Sequence, residues 1–304
     1  MTETETGSVL DTTCLNCGAA LNGPFCATCG QRDLPPHPTL RELAGDAWNE
    51  LIGWDGKLVT TFSTLFRHPG ELTRSALEGQ RIRFVSPVRL YLACSLLYFV
   101  LAAAAPLPEG EFEAGFSAGV AGGSSNTMTR GEAAFGKAVA QGFAALTAEE
   151  RAAVDAEIAS QPRVFRPLMR AMAADFAGLQ RRTYEILPRT LFVLIPALAG
   201  ILGLFYRRRP YPDHLYFAIH LQAFAFLVMT VPAIVQYTGS LTWLGITQAG
   251  AYVATAVYLV VAARRVYGGG WIKNVAKALG VLVLYLSIWS ITSLCAGLWV
   301  SRAA

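Results

Sequence analysis

Charge is what this chain has least of. Only 15% of its 304 residues are Asp, Glu, Lys or Arg, while 53% are hydrophobic. Ordinary soluble domains carry about a quarter charged residues, so a fully water-facing fold is excluded, and so is charge-driven disorder. Familiar catalytic signatures are missing as well. There is no G-x-S-x-G, no H-E-x-x-H, no phosphate-binding Gly-rich loop and no carboxylate pair within an apolar run. Serine-hydrolase, metalloprotease and P-loop chemistries therefore have no foothold, and no catalytic residue is assigned. Residues 1–13 are polar and acidic, without a basic start or an apolar core, so no secretory signal is expected. No internal repeat is visible.

Cysteine is sparse but concentrated. Four of the six lie in one clip, Cys14-Leu15-Asn16-Cys17-Gly18 and Cys26-Ala27-Thr28-Cys29-Gly30. Two thiolates two residues apart can point inward from a tight turn, and two such turns complete a tetrahedron around Zn²⁺. Glycine after each second cysteine suits a positive φ, and Gly23-Pro24 fits the reversal between the pairs. A segment this short cannot bury a core, so a structural zinc ion would supply its folding free energy. The alternatives are a thioredoxin-like redox pair, which lacks a surrounding βαβ pattern, and paired disulfides, which need an oxidising compartment. Charges around the clip (Glu3, Glu5, Asp11, Arg32, Asp33) are net acidic, so it repels phosphate and nucleic acid is not the expected partner. Protein contact fits better. Cys94 and Cys295 sit in apolar runs and read as small buried hydrophobes.

Residues 1–34 thus form a zinc ribbon, and 35–86 a linker with interfacial helices. Leu34-Pro35-Pro36-His37-Pro38 cannot be helical. Thr39-Leu40-Arg41-Glu42 is a capping box opening a helix that Gly53 ends. A second amphipathic piece carries Leu58, Val59, Phe62, Leu65 and Phe66 and stops at Pro69-Gly70; a third runs from about Glu71 to Glu78. With Trp48, Trp54, Lys57, Arg67, Arg81, Arg83 and Arg89 these helices suit lipid headgroups. The competing account is a small helical subdomain packing on itself.

The remainder, 87–304, reads as an all-α integral membrane domain of about five transmembrane helices: 87–105, 188–206 (broken by Pro196), 214–236, 241–263 and 275–300. Between the first two lies a loop, 106–187, with a Gly/Ala/Ser-rich front, an Ala-rich helix, a capping box at Thr147–Glu150 and an apolar stripe Phe165, Leu168, Met169, Met172, Phe176, Leu179. Arg81, Arg83 and Arg89 precede span one, Arg207–Arg209 separate spans two and three, and Arg264, Arg265, Lys273 and Lys277 separate four and five. The bias toward basic short loops puts the amino terminus in the cytoplasm, the carboxy terminus and the long loop outside, and the four thiols in a reducing compartment. An inner-membrane, multi-pass location with anionic lipid around it follows.

Ionisable groups within the spans are nearly absent, which makes the exceptions candidates. His220 lies inside span three, His214 and Asp213 at its mouth, and Gln222 near His220. Positions 214 and 220 fall on different helix faces, so they do not form a metal pair. The bland account of His220 is a hydrogen bond to a neighbouring helix.

Taken in order, C-L-N-C-G, F-C-A-T-C-G-Q, D-G-K-L-V-T-T-F, H-P-G-E, E-G-Q-R-I-R-F-V-S-P, F-V-L-I-P-A-L-A, F-Y-R-R-R-P-Y-P-D-H-L and F-A-I-H resemble an uncharacterised bacterial family of polytopic membrane proteins with an N-terminal four-cysteine zinc ribbon. The resemblance covers most of the chain outside about 106–175. It implies zinc ligands at Cys14, Cys17, Cys26 and Cys29 and gives weight to His214 and His220. It also implies a further histidine near position 222, where this chain has Gln222; that departure speaks against a metal site in span three. It implies no activity. The expectation is a membrane anchor, scaffold or sensor whose ribbon binds a cytoplasmic protein. The alternative is a small-molecule or lipid transporter, or a subunit of one, with its path at His220, and a membrane-embedded enzyme comes third. Five spans do not make a simple inverted repeat, although an oligomer could form a path.

Overall fold

The computed structural model describes residues 13–32, 57–104 and 129–303. The linker at 34–38, the helix that Thr39–Glu42 should open, Trp48, Trp54 and the Gly-rich stretch at 110–127 lie outside the described residues. Apart from two isolated bridges in the ribbon, the described chain is helical. Four helices are long and apolar enough to cross a membrane: Pro87–Ala104, Tyr211–Thr238, Leu241–Tyr267 and Trp271–Arg302.

The chain divides into two compact units. The first comprises Met1–Leu96, Ile195–Leu227 and Tyr252–Leu282. Its hairpin is made of α1 (Leu58–Arg67) and α2 (Glu71–Leu77). Between them Gly70 adopts φ 83° as the residue preceding α2. A Cβ there would stand 2.9 Å from the Ala262 carbonyl oxygen, so glycine is required by both conformation and contact. The hairpin buries Leu65 and Leu72. It packs on α8 (Tyr211–Val235) and α9 (Leu241–Tyr267). Phe66 meets Phe224 edge-on at 5.6 Å, and Phe224 stacks on Tyr258 at 4.0 Å. Two helices long and apolar enough to cross a membrane therefore pack on a hairpin that was expected either to lie on lipid or to pack on itself. Thr61 joins it to the next helix: its Oγ1 donates to the Lys57 carbonyl and accepts the Val85 N–H just before α3 (Pro87–Ala104).

The second unit comprises Leu97–Leu194, Val228–Ala251 and Val283–Ala304. The stretch read as a loop holds three packed helices, α4 (Arg130–Gln141), α5 (Ala148–Ser160) and α6 (Arg166–Ala174). They enclose Phe135, Ala138, Val139, Leu146, Val154, Ile158 and Ala173. Thr147 and Glu150 form the expected capping box, and Thr129 and Glu132 form another. Arg166 donates to the Ala159 and Gln161 carbonyls, capping the end of α5.

Two local expectations change. The apolar stripe from Phe165 to Leu179 is split at Asp175, whose Oδ1 accepts the Gly178 N–H. That side chain competes with the helix backbone, ending α6 and starting α7 (Phe176–Phe205). The break expected at Pro196 is absent: α7 is continuous through it. Leu194, Ile195, Leu198 and Ala199 are buried around that proline, and packing of this kind lets a membrane helix continue through it. Among the described residues of α7, Val193–Phe205 is an apolar stretch. The last helix, α10, spans Trp271–Ala303.

Candidate functional site

The four-thiol clip folds as two matching turns. Thr13 bridges Ala20, and Phe25 bridges Arg32. In the first turn Cys14 N–H donates to the Ala19 carbonyl and Gly18 N–H to the Cys14 carbonyl; in the second, Cys26 N–H donates to Gln31 and Gly30 N–H to Cys26. Gly18 and Gly30 both have φ 73°, the left-handed geometry the sequence pattern called for. Every contact recurs twelve residues later, so the module has an internal pseudo-twofold.

The sulfurs converge. Cys14 Sγ lies 3.6 Å from Cys29 Sγ, and Cys17 Sγ 3.5 Å from Cys26 Sγ. All four lie within 4.8 Å of one another. A tetrahedral ion with M–S bonds of about 2.3 Å needs sulfur edges of about 3.8 Å, whereas a disulfide needs about 2.05 Å. All four cysteines are free thiols, so the geometry fits a metal and not the disulfide alternative. Backbone donors favour the anionic form that a metal requires. The Cys29 N–H, then the Thr28 N–H, hold Cys26 down to about 6. The Gln31 N–H lowers Cys29. The Ala19 N–H draws Cys17 down, but partial loss of water around the sulfur and the three neighbouring thiols push it up to about 12. Adjacent thiols resist ionising together without a cation. These residues could hold a metal ion; its chemistry there would be to bind four thiolates and fix the two turns.

The clip is seated on the hairpin. Gln31, 6% exposed, spends its whole side-chain amide on one loop. Its Nε2 donates to the Gly79 carbonyl at 2.8 Å, and its Oε1 accepts the Arg81 N–H at 3.1 Å. Gly79 has φ 82°, and a Cβ on it would lie 2.7 Å from Leu15 Cδ1. Part of the clip is open: Phe25 is 60% exposed, and Cys17, Ala27 and Thr28 are exposed too.

The polar positions of span three part company. His220 Nδ1 pairs with Thr73 Oγ1 of α2 at 3.0 Å. His214 Nδ1 instead meets the Tyr267 hydroxyl at 2.9 Å. Asp213, 1% exposed, stands 3.6 Å from the Arg209 guanidinium. Gln222 is buried as well. The two histidines thus have different hydrogen-bond partners, Thr73 for His220 and Tyr267 for His214. Three residues around His214 were missed. Tyr206 stacks on Tyr267 at 4.2 Å and donates to Asn274 Oδ1. Asn274 Nδ2 donates to the Gly268 and Gly270 carbonyls. Lys277 caps the Tyr206 ring at 4.2 Å. A signal existed: Asn274 is a lone polar amide at the start of a long apolar run. Of the residues expected at lipid headgroups, Arg67 and Arg83 are exposed, while Lys57, Arg81 and Arg89 are half-buried.

This is a helical membrane protein carrying a four-cysteine centre docked on a helical hairpin. Residues 55–99 carry a domain matching a family described as "Protein of unknown function (DUF3667)". The match takes in the hairpin and much of α3, a narrower stretch than the motifs suggested. No curated protein and no solved structure matches the chain.

Proposed function

We propose that this protein is a zinc-ribbon-bearing anchor of the bacterial inner membrane that holds a cytoplasmic protein at the bilayer surface. The supporting observation is the seating of the clip: Gln31 and Leu15 fix it to the 79–81 loop while Phe25 stays exposed. A rigidly presented aromatic beside small side chains is suited to protein contact. Between Thr13 and Arg32 the only charge is Arg32, so apolar and backbone contacts carry the recognition. Zn²⁺ is the resident ion, bound by Cys14, Cys17, Cys26 and Cys29, and its role is structural.

Five crossings, with α7 contributing the fifth, put the amino terminus inside and the carboxy terminus outside. The support is the clustering of Arg207–Arg209, Arg264, Arg265, Lys273 and Lys277 in short connections. Lys57, Arg67, Arg81, Arg83 and Arg89 add anionic-lipid contact from the hairpin side.

The test is crosslinking and affinity purification from cells in mild detergent, with metal content measured on the same material. Cys17→Ser and Phe25→Ala should each abolish capture of the co-purifying protein, and His220→Ala should leave it intact. Capture that survives both ribbon substitutions sinks the scaffold reading. Flux through reconstituted vesicles that disappears with His220→Ala would establish the transport reading in its place.

A further inference from the structure

The ribbon is joined to a membrane helix through a series of contacts, two of them buried hydrogen bonds. It begins at the metal ligands. Gln31 is held on both sides of its backbone by the second turn: its carbonyl accepts the Cys26 N–H, and its N–H faces Cys29 sulfur. The side-chain position of Gln31 therefore depends on the thiols being gathered. That side chain grips Gly79 and Arg81. The 79–81 loop is in turn the cap of α2, because Gly79 N–H bonds the Ala76 carbonyl and Gln80 N–H the Ser75 carbonyl. Two turns back on the same short helix, Thr73 is 1% exposed and bonds His220, 3% exposed, inside α8. Leu15 against Gly79 adds shape to the grip.

We propose that metal loading of the four-thiol centre latches the α1–α2 hairpin onto α8, through Gln31 at the 79–81 loop and Thr73 at His220, so that this membrane protein senses metal occupancy. The inference rests on the four thiols being a metal centre, and it extends that centre's role from folding the ribbon to holding the hairpin. Without metal, nothing ties the two turns to each other through the four sulfurs. Gln31 then leaves the loop, and α2 loses the contact that pins its carboxy-terminal end. Linkage makes the coupling reciprocal: whatever factor the metal adds to docking, docking adds to metal affinity.

The experiment uses the full chain in lipid nanodiscs. Hydrogen exchange by mass spectrometry is followed over residues 71–81 and, as a reference, over α4 and α5, with and without Zn²⁺. Zinc affinity is measured by chelator competition. Zinc removal should speed exchange across 71–81 and leave α4 and α5 unchanged. Gln31→Ala keeps all four thiols. It should still bind one equivalent of zinc, but about tenfold more weakly, and should show fast exchange at 71–81 even when loaded. Leu15→Ala should move both readouts the same way by a smaller factor. Unchanged exchange at 71–81 on zinc removal overturns the latch, as does a wild-type zinc affinity in Gln31→Ala. Failure of partner capture with these readouts intact would sink the scaffold reading alone.

Discussion

Gly70 shows how much one missing side chain can decide. Its backbone is left-handed, and a Cβ there would crowd the Ala262 carbonyl. Gly70→Ala should destabilise the protein by roughly 1–3 kcal/mol, read as a lower unfolding temperature in detergent. Gly23→Ala is the control, since a Cβ at Gly23 meets nothing within 4 Å. A second prediction concerns the Thr73–His220 bond. Thr73→Val keeps the shape but removes the hydroxyl, so a buried ring nitrogen loses its partner at a cost of about 1–3 kcal/mol. Thr73→Ser should recover most of that in the same thermal assay. Some of this was legible in the sequence. The cysteine spacing announced that four thiols would gather, because that pattern is local. Gln31, by contrast, looked like filler after Cys-Gly, because its partners are about fifty positions away and nothing nearby hints at them. Tyr206 and Tyr267 were hidden for the same reason, their partners Asn274 and His214 lying far along the chain.

Among the elements, the α4–α5 pair carries a pH signature. Lys137 donates to Glu150 at 2.8 Å, and Glu150 also closes the capping box on the Thr147 N–H. The lysine first, then the Thr147 N–H, hold this carboxyl from its ordinary 4.5 down to about 2. A carboxyl depressed on folding adds stability above its unfolded value and loses it as the pH drops through the folded one. The contribution is therefore complete above about pH 4.5 and gone near pH 2. Exchange protection of α4 and α5 should fall over that window, and Glu150→Gln should flatten the fall. Element type was readable wherever the signal was a cap or a long apolar run, as at Thr147 and in α8 to α10. It was unreadable at Asp175, where one carboxylate outweighs a continuous apolar stripe. Pro196 misled in the opposite sense, since buried neighbours on α7 outweigh a lost backbone donor.

For the molecule as a whole, the membrane assignment makes the plainest prediction: the protein should partition with membranes and require detergent for extraction. Alkaline washing that released it would contradict the four long apolar helices. Reporter fusions after residue 304 and ahead of residue 1 should give opposite signals if five segments cross. The hydrophobic runs made this scale easy to read, whereas the seating of the clip depends on tertiary contacts that no spacing encodes. That seating has one more implication. The clip's halves are near-copies, and a near-symmetric plug could enter its socket either way round. Position 31 is a glutamine, while its counterpart, position 19, is an alanine. The amide is thus the key that chooses between two orientations, and exchanging the residues at 19 and 31 should turn the plug half a revolution and put Ala27 where Leu15 now sits.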